Sequence, residues 1–286
     1  MSGKTKLVGI FGDPVDHTIS PAMQNAAFEA LGLDMAYIPF HVRKSPAYDL
    51  KAAVASIRAL NLRGVNVTIP HKEKVLKFLD EVDPDAKAIG AVNTIVNRNG
   101  KLVGYNTDGP GYLLSLKEDT GFTVRGKRIV ILGAGGAARA ILRSALEKRP
   151  ASIVVANRTL KRAEDLVREF EPSFTTDMRA IRLDGSLAPF AKKASLVVNT
   201  TSIGMKGAGN LDIPLDLMPK GAVVSDIVYV PLETAFLSAA KARGLLVHYG
   251  LSMLVRQGAL TFELWTGKKA PIEVMQRAAL AALSLK

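Results

Sequence analysis

The sequence predicts a two-domain α/β protein, and three observations carry that reading. Short apolar runs rich in Val and Ile alternate with Ala- and Leu-rich segments of helical character. At 286 residues the length favours about two domains. In Lys127–Glu147, KRIVILGAGGAARAILRSALE, the β-branched run Arg128–Leu132 passes through six small residues into a helix-forming segment.

That last stretch defines a Rossmann-type unit. Strand, glycine turn and helix in this order form the setting in which G-x-G-x-x-G/A binds a dinucleotide. Gly133 permits the tight turn, and Gly135 lets backbone N–H groups approach a pyrophosphate. Ala138 is small enough for the helix to pack close on the strand, and the helix N-terminus turns its partial positive charge toward the phosphates. An ordinary tight βα turn shares the glycine pattern; the flanking strand and helix favour the dinucleotide.

The elements follow in order. Leu7–Phe11 is a strand that ends at the turn Gly12-Asp13-Pro14. Ser20 and Pro21 read as N-cap and first residue of a helix to about Leu31. Met35–Phe40 is a strand, Pro46–Leu60 a helix, and Gly64–Ile69 a strand closed by Pro70. Strands at Ala91–Asn97 and Lys101–Tyr105 flank the turn Arg98-Asn99-Gly100. This first section reads as an α/β unit with a parallel core made by crossover helices. Asp108-Gly109 opens a helix to about Asp119 that connects the domains, and Pro110 is tolerated in its first turn. After Arg128–Leu132 come strand Ser152–Ala156, helix Leu160–Phe170 and strand Arg179–Leu183. Ser195–Asn199, Ala222–Asp226 and Leu245–Val247 continue the sheet, and helices Gly250–Trp265 and Ile272–Leu283 return to the first domain. The predicted domains are thus residues 1–108, with 250–286 packing back onto them, and a dinucleotide-binding domain at 109–249.

Composition narrows the chemistry. The hydrophobic fraction of 48% and charged fraction of 22% are those of an ordinary globular chain. A net charge of +12 suits anionic ligands, but the basic residues are scattered and no basic run is interleaved with aromatics, so no nucleic-acid partner is expected. With no cysteine there are no disulfides, thiolate nucleophiles or cysteine zinc sites. His17, His41, His71 and His248 lack metal-ligand spacing, and no metal is expected. The apolar run in MSGKTKLVGIFGDP is too short for a signal peptide and nothing reaches membrane-spanning length, so the expected compartment is the cytoplasm, without a membrane partner.

Polar residues gather at strand ends. On the third strand Val65, Val67 and Ile69 point one way, Asn66 and Thr68 the other. Such a polar face needs partners or a ligand, unless the strand end is partly exposed. Lys72 lies just beyond the carboxyl end, where ligands sit in open α/β sheets. It reads either as a solvated surface lysine or as a proton carrier for an oxygen. Asn93 and Asn106-Thr107-Asp108 also fall at strand ends. Asp108 suits a helix N-cap, and it equally suits a partner that holds the Lys72 ammonium. A Lys–Asp pair facing a nicotinamide fits oxidation of an alcohol, the lysine taking the hydroxyl proton as hydride leaves carbon.

In order and spacing, GDPVDHTISPAMQNAAF, GVNVTIPHK, IGAVNT, GYNTDG, GAGGAARA, NRTLKRA, DIVYVPLET and GLSMLVRQGALTFELWTG resemble the shikimate dehydrogenase family over nearly the whole chain. The resemblance implies a small-molecule substrate, a polyhydroxylated cyclohexene carboxylate, with Thr18 and Ser20 on its carboxylate. Asn66, Thr68, Asn93, Asp108 and Gln257 would surround the ring hydroxyls, and Tyr229 would close over the substrate. Lys72 would be the catalytic acid/base with Asp108 as its partner. On the cofactor side it implies Gly133, Ala134, Gly135, Gly136 and Ala137 for the pyrophosphate, and Ile227, Gly250 and Met253 for the nicotinamide. Two positions depart from the family: Thr18 stands where Ser is usual, and Gln24 where His is frequent. The extra methyl of Thr18 bears on shikimate-versus-quinate preference, whereas Gln24 is expected to be structural.

The second cofactor strand ends at Asn157-Arg158-Thr159, with Arg162 one turn on and no acid before Glu164. An NAD site places a carboxylate here for the ribose hydroxyls. Arg158, Thr159 and Arg162 suit a 2′-phosphate instead, with Thr159 also a candidate helix N-cap, so the expected cofactor is NADP. The leading expectation is an NADP-dependent enzyme that reduces 3-dehydroshikimate to shikimate for aromatic amino-acid synthesis, as a monomer or homodimer. The alternatives are a quinate or dual quinate/shikimate dehydrogenase and, from another class, an NADPH-binding sensor; the retained Lys72, Asp108 and Gln257 weigh against the sensor.

Overall fold

Each apolar run becomes a strand because helices cover both faces of the sheet it joins. The computed structural model describes residues 2–45 and 48–284. The chain divides into two units, one of residues up to 111 together with those from 255, the other of residues 112–254.

The first unit contains β1 (Lys6–Gly12), α1 (Ser20–Ala30), β2 (Met35–His41), α2 (Tyr48–Ala59), β3 (Gly64–Val67), β4 (Glu81–Val82), α3 (Pro84–Ile89), β5 (Thr94–Arg98), β6 (Lys101–Tyr105) and the start of α4 (Asp108–Thr120). Its sheet has the order β2-β1-β3-β5-β6-β4. The expected parallel core holds for β1, β2 and β3, but β5 runs antiparallel to β3 and to β6. For β5 and β6 the reason is local: Asn99 and Gly100, at φ 52° and 90°, reverse the chain within two residues, and a turn that short can join only antiparallel strands. Val65, Val67, Ile95 and Leu102 pack under α2 with Val54 and Ile57. Phe28 of α1 stacks on Phe262 at 5.3 Å, and the Trp265 indole N–H donates to the Ile95 carbonyl at 3.1 Å.

The second unit holds β7 (Arg128–Leu132), α5 (Gly136–Leu146), β8 (Ser152–Asn157), α6 (Leu160–Phe170), β9 (Asp177–Arg182), α7 (Ala188–Ala191), β10 (Leu196–Asn199), β11 (Val223–Asp226), α8 (Ala235–Ala242) and β12 (Leu246–Tyr249). The sheet, in the order β12-β11-β10-β7-β8-β9, is parallel throughout. Alternation sorts its side chains into two cores: Ile129, Ile131, Leu196 and Val198 lie with α5 and α6, while Val130, Leu132, Val197 and Val224 lie with α8. Two helices follow, α9 (Gly250–Thr266), which passes into the first unit at Val255, and α10 (Ile272–Ser284), which lies against α1.

Several predicted details are corrected. The α1 cap is Ile19, whose carbonyl takes the first helical bond from Met23 N–H; Ser20 is already helical, and its N–H donates to Thr18 Oγ1 at 3.2 Å. β3 stops at Val67, so the alternation ends there and Ile69 is 69% exposed instead of buried beside Val65 and Val67. Elements β4, α3, α7 and α8 have no counterpart among the predicted ones, and the predicted helix start at Pro46 lies outside the described residues. Among the described residues no helix is long and apolar enough to cross a membrane. Among them, too, no cluster of acidic and histidine side chains is arranged to hold a metal ion.

Candidate active site

The first unit brings together a set of polar side chains that are far apart in sequence. Lys72 follows β3 and Asp108 begins α4, yet Lys72 Nζ donates to Asp108 Oδ2 at 2.6 Å. Their side chains are 17% and 6% exposed, so this ion pair is far less screened than a surface one. The other carboxylate oxygen, Oδ1, accepts from Asn93 Nδ2 at 2.8 Å. With both oxygens engaged, the Asp108 carboxylate is not spent on capping α4; Asn106 Oδ1 takes the Asp108 N–H at 3.0 Å instead. Asn93 precedes β5, and its Nδ2 also reaches Gln257 Oε1 on α9 at 3.4 Å. Lys72, Asp108, Asn93 and Gln257 thus form one connected group.

Asn66 joins this group through protein contacts at both ends of its amide. Tyr37 Oη donates to Asn66 Oδ1 at 2.9 Å, and Asn66 Nδ2 donates to the Asn93 carbonyl at 3.0 Å and to Thr94 Oγ1 at 3.2 Å. Thr68 is half-buried, its N–H donating to the Phe11 carbonyl. Thr18 and Ser20 form a separate pair at the start of α1. From the same helix Gln24 Nε2 donates to the Gly258 carbonyl at 2.9 Å, one residue past Gln257. Tyr229, half-buried on the loop after β11, has its phenol pKa raised by burial.

In the second unit the glycine turn sits at the carboxyl end of β7. Gly133 has φ +111°, and a β-carbon there would come 2.6 Å from Thr200 Oγ1, so backbone conformation and space both demand glycine. Gly135, the α5 N-cap, has the ordinary φ of −99°, and a β-carbon on it would meet no heavy atom within 4 Å. No described residue requires glycine at that position, whereas a pyrophosphate laid on the N-terminus of α5 would, so these residues fit a dinucleotide. Ala134, Gly136 and Ala137 are half-buried around the turn, while Ala138 is fully buried against the sheet. At the end of β8, Asn157 Nδ2 donates to the Thr159 carbonyl at 2.8 Å, and Arg158, Thr159 and Arg162 are exposed. Thr159 occupies the α6 cap position without a side-chain cap bond. Ile227 is half-buried and Met253 buried, and a β-carbon on Gly250 would strike the Ile227 and Val228 carbonyls at about 2.5 Å, so close packing alone accounts for that glycine.

Comparison with known proteins finds family models over most of the chain. The shikimate dehydrogenase substrate binding domain matches residues 10–95, shikimate / quinate 5-dehydrogenase 115–203, and the shikimate 5'-dehydrogenase C-terminal domain 250–280. A shikimate dehydrogenase (NADP(+)) from Geobacter metallireducens is 45% identical over 285 residues, with 99% of each chain covered. The chain belongs to the shikimate dehydrogenase family. Two crystal structures agree in fold. One is a shikimate dehydrogenase in complex with NADP+, at 40% identity, TM-score 0.89 and coverage of 99% of this chain and 97% of that one. The other is the Thermus thermophilus shikimate 5-dehydrogenase in complex with NADP(H) and shikimate, at 40% identity, TM-score 0.85 and coverage of 97% and 99%.

This shikimate dehydrogenase family member also carries polar residues that the sequence alone did not single out, Thr94, Thr261 and Tyr37. Thr261 Oγ1 lies 2.8 Å from Thr94 Oγ1 and 3.1 Å from Thr107 Oγ1, and Asn93 Nδ2 donates to Thr107 Oγ1 at 2.9 Å. Thr261 is one helical turn beyond Gln257 on α9, a spacing that was a usable signal. Tyr37 gave no such signal, because its place on β2 looks like that of an ordinary core aromatic.

Proposed function

We propose that the chain catalyses the NADP-dependent, reversible reduction of 3-dehydroshikimate to shikimate. The observation that carries this reading is the sheltered Lys72–Asp108 pair, 2.6 Å apart, tied through Asn93 to Gln257. When bound, the cofactor would supply the hydride as NADPH in reduction and accept it as NADP+ in oxidation. In the reducing direction Lys72 Nζ gives a proton to the oxygen that becomes the hydroxyl, and in the oxidising direction it takes that proton back. Asp108 holds the ammonium in place, and Asn93 and Gln257 orient the ring hydroxyls, together with Thr68 and Asn66. Thr18 and Ser20 hold the carboxylate, while Tyr229 closes over the ring. Gly133 through Ala137 cradle the pyrophosphate, Ile227, Gly250 and Met253 border the nicotinamide, and Arg158 with Asn157, Thr159 and Arg162 takes the 2′-phosphate. The partner in this reading is a small molecule.

The deciding experiment offers shikimate and quinate, each with NADP and NAD, and follows absorbance of the reduced nicotinamide. Rapid reduction of NADP with shikimate and slow reduction in the other combinations is the expected outcome. Quinate turning over faster than shikimate would transfer the enzyme to the quinate reading. NADPH binding without turnover of either compound would make it a sensor.

A further inference from the structure

The second unit contains a carboxylate to which the reaction gives no task. Asp226 ends β11, is 0% exposed, and among the described residues faces only neutral donors. Its Oδ1 accepts from Asn199 Nδ2 at 2.9 Å and from Val228 N–H at 3.0 Å, and its Oδ2 accepts from Thr234 Oγ1 at 2.7 Å. A buried carboxylate without a counter-ion is costly, and burial pushes its pKa up to about 6. What this arrangement achieves follows from where the donors sit. Val228 and Thr234 are the second and the last residue of the loop between β11 and α8. Asn199 ends the adjacent strand, β10, and its Oδ1 accepts from the N–H and Oγ1 of Thr201 at 3.0 and 2.7 Å. Thr200, between them, donates through Oγ1 to the Leu132 carbonyl at 2.6 Å, beside the Gly133 turn. One carboxylate therefore ties together the loops that leave β11 and β10 and, through them, the glycine turn.

The strand order says which end of a dinucleotide these loops serve. Ligands of open parallel sheets lie across the carboxyl ends of the strands. With the pyrophosphate at β7 and Arg158 at β8 on one side, the opposite half of the cofactor falls on the β10 and β11 side. We propose that Asp226 is a positioning residue for the nicotinamide end of the cofactor, fixing through Val228, Thr234 and Asn199 the loop that carries Ile227 and Tyr229. This rests on the NADP-dependent reading above. Asn in place of Asp226 keeps one acceptor oxygen but turns an amide toward Thr234.

The test compares Asp226→Asn, Thr234→Val and Thr234→Ser in the full-length chain with wild type, reading two properties of bound NADPH. The first is its affinity, from a fluorescence titration, and the second the emission of the bound nicotinamide. In Asp226→Asn and Thr234→Val the emission should move toward that of free NADPH while the dissociation constant stays within about threefold, because the phosphate contacts are elsewhere. Shikimate oxidation at saturating NADP should fall tenfold or more in kcat, and Thr234→Ser should behave as wild type. Unchanged emission and kcat in Asp226→Asn, whatever its melting temperature, would overturn the proposal. Affinity lost in parallel with emission would overturn it as well, since Asp226 would then support the whole cofactor site. Should Asp226→Asn not fold, the Thr234 pair decides alone: loss in Val with recovery in Ser supports the proposal, and equal behaviour of the two refutes it. A wild type that binds NADPH but leaves shikimate untouched fails the functional reading, while the emission comparison still judges Asp226.

Discussion

Replacing Lys72 with Ala removes the ammonium but leaves Asp108 held by Asn93 at 2.8 Å, so Asp108, Asn93 and Gln257 keep their places. On the proposed acid/base role, kcat should fall by about a hundredfold or more, with KM for shikimate little changed. Steady-state kinetics check this, and a variant that turns over near the wild-type rate removes Lys72 from the chemistry. Arg158 offers a second residue-scale contrast. It is exposed at the end of β8, and no acid precedes Glu164 to accept from ribose hydroxyls. NADP should exceed NAD by about a hundredfold in kcat/KM, roughly 2.7 kcal/mol. Arg158→Ala should raise KM for NADP and leave NAD nearly untouched, and the preference should shrink as salt screens an attraction open to solvent. Equal use of both cofactors by the unmodified chain would count against this reading. At this scale the sequence was legible wherever spacing and strand ends carried the signal, as for Lys72 and Asp108. Thr94 and Tyr37 stayed hidden because hydrogen bonds between distant segments leave no local pattern.

Among the elements, the crossing of α4 and α9 is the most exposed to a small change. A β-carbon on Gly111 would lie 2.6–2.8 Å from the backbone N, the Cα and the Cβ of Gln257. Alanine improves helix propensity by about 1 kcal/mol over glycine, but overpacking against backbone costs about 1–3 kcal/mol, so the clash wins. Gly111→Ala should displace Gln257 from Asn93, raising KM for shikimate several-fold with KM for NADP unchanged. Kinetics with each substrate varied in turn will show it, and an unaltered KM for shikimate would mean that Gln257 does not depend on this crossing. The longer apolar strands of the second unit were readable because burial on both faces leaves continuous Val and Ile runs, as in β7 and β8. The two-residue β4 and the four-residue α7 carry too few residues to show a period, and the β5–β6 hairpin turned part of a sheet expected to be parallel.

At the scale of the molecule, two buried groups of the second unit oppose one another in acid. Burial lowers His248 to about 4, between Ser225 Oγ at 2.8 Å and Ser115 Oγ at 3.0 Å. A lowered histidine stabilises the fold fully above its unfolded value of 6.5, and that stability drains away as pH falls from 6.5 to 4. Asp226, raised from 3.8 to about 6, works in reverse: its contribution is complete below 3.8 and is lost as pH rises to 6. Between pH 7 and pH 5, His248→Gln should therefore lose less melting temperature than wild type, and Asp226→Asn more. Thermal melts at the two pH values test the signs, and the same order in both variants would contradict them.

The division of the chain, with one unit built from residues up to 111 and from 255 onward and the other inserted between them, sets a timetable for synthesis. Residues 112–254 leave the ribosome as an uninterrupted segment and can fold as soon as they emerge. The earlier 111 residues must wait, because Trp265, whose indole binds the Ile95 carbonyl, and α10, which lies against α1, are translated only afterwards. For that interval the first unit's sheet, with Lys72 just beyond the end of β3, stays without α9 and α10. The part of the protein made first is the part finished last.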